Sequence, residues 1–196
     1  MLEILLLFGV GLITGIINTL AGGGSLLSMP ILIFLGLPPN VANATNRIGV
    51  FFNGIFAVGG YKSKGLKIAP YSYWLGIAAF PGAFLGAILA SKIQDDLFNK
   101  ILAGVILVVI AYMLFGPKSF NQDDERTDRK SNMIGIIIFF FIGFYGGFIQ
   151  AGVGYLIMAS LGIVNRFSLL KINIAKAVSV LIYTLASLIL SIYNDL

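Results

Sequence analysis

The chain has 196 residues, of which 58% are hydrophobic and 11% charged, with a mean hydropathy of +0.97; a soluble domain of this size needs more polar surface. It contains no Cys and no His, which excludes disulfides, thiolate chemistry and the commonest metal ligands. The net charge of +5 comes from Lys and Arg in short loops between apolar runs, a topology signal rather than a nucleic-acid surface.

Apolar runs of roughly 18–22 residues recur along the chain, each long enough as a helix to cross about 30 Å of hydrocarbon. They lack the alternation of barrel strands, and lipid offers no partner for unpaired backbone groups, so helices are predicted throughout. The first run, 2–20, has no basic segment before it and reads as structural rather than as a cleaved signal. It ends at Ala21-Gly22-Gly23-Gly24-Ser25, where consecutive glycines break a helix. A short apolar segment, 26–37, leads to the turn Pro38-Pro39-Asn40, and helices follow at 41–61, 71–90 (with Pro81-Gly82 inside) and 97–115. Residues 116–131 hold four basic residues (Lys118, Arg126, Arg129, Lys130) and four acidic ones (Asp123, Asp124, Glu125, Asp128), the composition of a solvated linker. The expected division is a first transmembrane repeat at 1–115, a polar cytoplasmic linker at 116–131, and a second repeat at 132–196.

The second half starts like the first. Gly11-Leu12-Ile13-Thr14-Gly15 is echoed by Gly143-Phe144-Tyr145-Gly146-Gly147. After a two-residue deletion, a constant offset of 130 pairs Ala21 with Ala151, Gly22 with Gly152, Gly24 with Gly154, Leu26 with Leu156, and Asn43 with Asn173. Asn18 aligns with Gln150 at the earlier offset, and Asn46 with Lys176 at the later one.

Charge then discriminates between two topologies. If each Gly-broken segment crosses once, the loop Lys and Arg split seven against four. If each enters and returns as a hairpin, Lys62, Lys64, Lys67, Lys118, Arg126, Arg129, Lys130, Arg166 and Lys171 share one side, with Lys92 and Lys100 opposite. The nine-to-two split is the stronger positive-inside signal, placing the linker in the cytoplasm and the N-terminus outside a multi-pass cell-membrane protein. A hairpin plus three crossings is odd, so the second half starts from the opposite face. The expected fold class is an all-α integral membrane protein, an inverted repeat of a Gly-broken helical hairpin plus transmembrane helices. Inverted repeats with interrupted helices are a recurring plan of secondary transporters, whose sites form where the breaks meet.

The chemistry at those breaks suits an anion. A helix restarting after Gly22, Gly23 and Gly24 presents backbone N–H groups and the positive end of its dipole, and Gly152 and Gly154 repeat the arrangement. On the following helix Asn43, Asn46, Arg47 and Asn53 share one face, beside Thr45; in the second half Asn173, Lys176, Tyr183, Thr184 and Ser187 form a comparable stripe. Amides and one or two cations, with no intramembrane carboxylate, describe a pocket for negative charge. The expected substrate-binding set is Gly22, Gly23, Gly24, Asn43, Thr45, Asn46, Arg47, Gly152, Gly154, Asn173 and Lys176, with no catalytic residue, metal or cofactor. Against it stand blander roles: the breaks as turns, the amides as interhelical glue, and the two cations as snorkelling side chains. Gly11, Gly15, Gly82, Gly86, Gly143 and Gly147 read as helix-packing positions.

Gly15 to Pro30, Ala42-Asn43-Ala44-Thr45-Asn46, Pro81-Gly82-Ala83-Phe84-Leu85-Gly86-Ala87, and Gly147 to Gly154 together make the chain resemble the sulfite exporter TauE/SafE family of membrane transporters. The resemblance spans nearly the whole chain and implies movement of sulfite, a sulfonate or a related organic anion. Two departures stand out. The second copy has Ala175-Lys176 where the first has Thr45-Asn46, and the first half continues through two helices that have no counterpart after Tyr193. The second repeat is therefore expected to be truncated, with a homo-oligomer as one way to complete it. The expected function is export or facilitated movement of a small anion, the alternative a non-transporting membrane subunit or degenerate half-transporter. An enzyme is not expected, since general acid–base and thiol catalysis have few candidates here.

Overall fold

The computed structural model describes residues 2–115 and 125–193, without the side chains of 2–4 and 112–115. Among the described residues the chain is all helical: α1 (Leu2–Leu20), α2 (Ser25–Phe34), α3 (Pro39–Ser63), α4 (Pro70–Lys92), α5 (Asp95–Phe115), α6 (Arg129–Phe148), α7 (Val153–Val164) and α8 (Leu169–Tyr193). Helices α4, α6 and α8 are long and apolar enough to cross a membrane. Lys118, one of the basic residues of the linker, lies outside the described residues.

Local chemistry sets the boundaries. Pro39 and Pro70 sit in the first turns of α3 and α4, where a missing N–H costs nothing and the fixed φ suits the helix. Asp128 caps α6, its carboxylate accepting from the Ser131 N–H at 3.0 Å and the Ser131 hydroxyl at 2.7 Å. These bonds hold the Asp128 carboxyl below the usual carboxylate range, so the cap persists at neutral pH and is lost as pH falls through that lowered value.

The core lies between α4, α6, α7 and α8, where Leu75, Ala79, Phe139, Ile157, Leu161, Ile172 and Tyr183 are fully buried. The α4–α6 seam is backbone against backbone. A Cβ added at Gly82 or Gly86 would lie 2.1 or 2.0 Å from the carbonyl oxygens of Phe140 or Phe144, and one at Gly143 or Gly147 would lie 2.0 Å from those of Ala79 or Ala83. Small residues on both helices permit this approach, which replaces the hydrophobic drive that lipid cannot supply. Gly11, which aligns with Gly143, has nothing among the described residues within 4 Å of such a Cβ. The α1 face is thus uncovered where the α6 face is filled by α4. Gly86→Val is accordingly expected to abolish the monodisperse peak of detergent-extracted protein in size-exclusion chromatography, whereas Gly11→Val leaves it intact. Equal behaviour of the two would show that the seam does not hold the bundle together.

One end of the bundle is tied across its loops. The Arg126 N–H donates to the Asn165 carbonyl at 2.8 Å, the Tyr71 hydroxyl to the Asn132 carbonyl at 3.1 Å, and Lys171 pairs with Glu125. The turn carrying Lys62, Lys64 and Lys67 precedes Tyr71 and belongs to the same end, while Lys92 and Lys100 flank the α4–α5 turn at the far end of α4. Large apolar side chains such as Phe8, Phe56, Trp74, Phe141 and Tyr193 are exposed around the outside, as a lipid-facing surface requires.

Candidate functional site

Both Gly motifs break their helices in the same way. Gly22 has φ +75° and Gly152 has φ +74°, a left-handed conformation at repeat-equivalent positions that glycine adopts without a Cβ clash. The chain then restarts as α2 and α7. In the first break the N–H groups of Ala21 and Gly22 close onto the Ile17 carbonyl at 2.8 and 2.9 Å. In the second the Ile149 N–H closes onto Tyr145 at 2.7 Å, and the Tyr145 hydroxyl returns to the Ala151 carbonyl at 2.7 Å.

The two breaks touch. A Cβ built on Gly22 would fall 2.4 Å from the Gly154 Cα, and one on Gly154 would fall 2.2 Å from the Gly22 Cα. Beside this crossing lies a cavity of about 40 Å³, walled by the end of α1, Gln150 in the break after α6, the starts of α2 and α7, and the long helices α3 and α8. It is several times the space one water needs. Its polar lining comes from Asn18, Thr19, Ser25, Asn53, Tyr61, Gln150, Lys176 and Tyr183. Lys176 is its cation. Only 4% exposed, its ammonium donates to the Thr19 carbonyl at 3.1 Å and to Asn173 Oδ1 at 2.7 Å. An ammonium has three N–H donors, so two hold it in place and the third is available to a guest. Gln150 Nε2 donates to the Tyr183 hydroxyl at 3.3 Å, and Asn53 Nδ2 to the Gly15 carbonyl at 3.1 Å.

Of the residues singled out from sequence, Gly22, Gly154 and Lys176 line this cavity; the others lie outside its lining. Gly23 lies against the Tyr155 ring, and Gly24 sits on the Thr14 carbonyl with its N–H donated to Asn18 Oδ1 at 2.9 Å. That N–H, expected to be available to an anion, is already spent. Gly152 turns the chain beside Val109. Asn46 Nδ2 donates to Ser25 Oγ at 3.0 Å and its Oδ1 accepts from Ser28 Oγ at 2.6 Å, which fixes α2 on α3. Asn43 Nδ2 donates to the Phe148 carbonyl at 2.9 Å, and its Oδ1 accepts from the Gln150 N–H at 3.4 Å. Asn173 orients Lys176. Thr45 is exposed, on a separate cleft between α1, α2 and α3.

The two intramembrane cations do not share a cavity, as the sequence pattern led us to expect. Arg47 is 2% exposed and donates to the carbonyls at the end of α6: to Gly147, and to Phe148 at 3.5 Å. A guanidinium at a helix C-terminus meets the negative end of the dipole. Lys176 does the same to α1, so each half's cation closes the other half's broken helix. Among the described residues neither has a carboxylate partner; the ion pairs there join Lys100 to Asp96 and Lys171 to Glu125. Tyr61 and Ser25 escaped the sequence reading, Tyr61 because it sits where the helix was expected to end.

The sulfite exporter TauE/SafE family profile matches residues 7–195. The chain belongs to the TauE/SafE family. It is 34% identical over 173 residues to a "Probable membrane transporter protein" of Haemophilus influenzae, covering 88% of this chain and 65% of that one. It is 28% identical over 166 residues to the "Probable membrane transporter protein ORF9" of a Sinorhizobium species, covering 84% and 63%. To the "Probable membrane transporter protein YfcA" of Escherichia coli it is 31% identical over 149 residues, covering 76% and 55%. The TauE/SafE chain described here therefore spans between about half and two thirds of the length of these relatives. No solved structure matches it. Membership of a transporter family and the three membrane-length helices make it a membrane protein.

Proposed function

We propose that this protein moves a small oxyanion, of the sulfite or organosulfonate class, across the cell membrane through the cavity beside the Gly22–Gly154 crossing. The observation that carries the reading is the Lys176 ammonium, buried there without a carboxylate partner among the described residues and with one donor to spare. A buried charge is expensive unless something neutralises it; Thr19 and Asn173 supply dipoles, and an anion supplies the balancing charge. The sulfur-containing substrate class is supported by the family's description.

The topology is a duplicated hairpin-plus-helices unit in inverted orientation, with the repeats at 1–115 and 132–196 joined by the linker at 116–131. Lys62, Lys64, Lys67, Arg126, Arg129, Lys130, Arg166 and Lys171 place their end of the bundle in the cytoplasm. With no Asp, Glu or His among the described residues that line the cavity, coupling to protons has no carrier there, and the membrane potential suffices. It is worth about 2.3 kcal/mol per charge per 100 mV, and an interior-negative cell drives an anion outward.

Proteoliposomes loaded with radiolabelled sulfite test this directly. Imposing a potential negative on the loaded side with potassium and valinomycin is expected to accelerate saturable efflux, and dissipating a proton or sodium gradient to leave it unchanged. A strict need for either gradient rejects the facilitator mechanism, and absence of flux for sulfite and sulfonates alike rejects the substrate class. A second reading, a membrane subunit active only with a further helix or a second copy, draws on the uncovered Gly11 face of α1; co-reconstitution requirements separate the two.

A further inference from the structure

We infer that Arg47 forms a second anion-accepting station, separate from the Lys176 cavity and reached from the opposite end of the bundle. A cavity of about 10 Å³ lies against Arg47, walled by Asn40 and Asn43 of α3, Ser91 at the end of α4, and Leu190 and Ser191 near the end of α8. Arg47 Nε is buried there and has no hydrogen-bond partner, while its NH1 reaches Ser191 Oγ at 3.4 Å. A guanidinium carries five donors in a fixed fork suited to oxyanions. The other polar side chains of the lining are the amides of Asn40 and Asn43 and the hydroxyls of Ser91 and Ser191, set among Ala44, Ala87, Ala90 and Leu190, and no carboxylate belongs to it among the described residues.

The repeat relates this cavity to the first. At the offset of 130, Arg47 corresponds to Ala177 and Ser191 to Tyr61, and both of these line the Lys176 cavity. Along α3 the Lys176 cavity runs from Val50 toward Tyr61, and the Arg47 cavity from Arg47 back toward Asn40. Asn40 and Tyr61 lie 21 positions apart on one helix, about 30 Å at 1.5 Å per residue. The two cavities therefore point to opposite ends of the molecule, with the crossing of the breaks at the Lys176 cavity. One of the pair is open to about 40 Å³ and the other closed to about 10 Å³, less than a sulfite needs. The station at Arg47 expands when the halves exchange conformations, as alternating access in repeat-built carriers requires.

The inference rests on the repeat and the Arg47 cavity, and its test needs no sulfite transport. The natural chain contains no cysteine, so single-thiol variants are clean reporters. The full chain, carrying Ser191→Cys or Tyr61→Cys, is placed in liposomes and treated with membrane-impermeant methanethiosulfonates bearing either an ethylsulfonate or an ethyltrimethylammonium tail. Ser191→Cys is expected to react from the face of Lys92 alone, and Tyr61→Cys from the other face alone. At Ser191→Cys the sulfonate reagent is expected to react about fivefold faster or more, because a low-dielectric pocket with one sign of charge concentrates its counter-ion. Adding Arg47→Gln is expected to abolish that preference. Should that variant fail to fold, Asn40→Asp, which places a negative charge in the lining and offsets that of Arg47, is expected to abolish it as well. No reaction at Ser191→Cys, reaction from the wrong face, equal rates for the two reagents, or a preference that survives these substitutions overturns the inference. A wild type that moves no sulfite but shows this labelling pattern leaves the station standing and removes the substrate assignment.

Discussion

Gly154→Ala is expected to eliminate anion flux and to lower the thermal midpoint of the detergent-purified protein, because the added methyl lands 2.2 Å from the Gly22 Cα. The neighbouring atoms are backbone, which cannot rotate aside, so the cost belongs at the upper end of the roughly 1–3 kcal/mol seen for overpacked cores. Gly22→Ala meets the same obstacle from the other side, and its left-handed φ adds about 1–2 kcal/mol for a residue with a Cβ. Gly104→Ala, on α5 with nothing within 4 Å, supplies the matched control and should behave as wild type. Thermal-shift measurements on the three variants decide the matter; equal midpoints would mean that the two breaks do not touch in the membrane.

Lys176→Gln is expected to raise the half-saturating sulfite concentration by one to two orders of magnitude, while leaving extraction yield and oligomeric state unchanged. A hydrogen bond to a charged group contributes about 1.5–3 kcal/mol, and each 1.4 kcal/mol is tenfold in affinity. Glutamine keeps a donor for the Thr19 carbonyl, so the loss reads out the charge rather than the closure of α1. Lys176→Arg keeps the charge and should retain much of the affinity. Concentration-dependent uptake into liposomes separates these outcomes, and an unchanged half-saturation in Lys176→Gln would remove the cavity from the transport path.

Much of this arrangement is legible in the residues themselves. The apolar run at 2–20 is α1 to the residue, since three glycines leave a helix nowhere to continue. Elsewhere the ends move for local reasons. The segment expected to reach 37 stops at Phe34, where Gly36 turns left-handed at φ +96° and the Leu37 N–H bonds back to the Leu32 carbonyl. Helix α6 begins at Arg129, inside the expected linker, because Asp128 is the better cap. The two glycine breaks were readable from the motif that recurs at an offset of 130, and Gly22 and Gly152 both turn left-handed there.

The site itself was only partly readable. Residue type alone marks Arg47 and Lys176 as unusual in apolar helices, but periodicity places a side chain on a face and says nothing of which helix crosses that face. The crossing of α3 and α8 against opposite broken helices assigns one cation to the α6 carbonyls and the other to those of α1. For the same reason the amides divide. Asn43 and Asn46 are consumed as braces, while Gln150, the aligned partner of Asn18, reaches the cavity.

Cross-linking tests the meeting of the breaks around an anion most directly. Ser25 and Gln150, one from each break, line the same cavity, and the chain's lack of cysteine allows Ser25→Cys and Gln150→Cys to be combined without background. In liposomes the pair is expected to be joined rapidly by a short thiol-bridging reagent, and saturating sulfite is expected to slow that reaction several-fold by filling the space between them. A pair that never cross-links, or one that cross-links at the same rate with and without sulfite, would contradict the account.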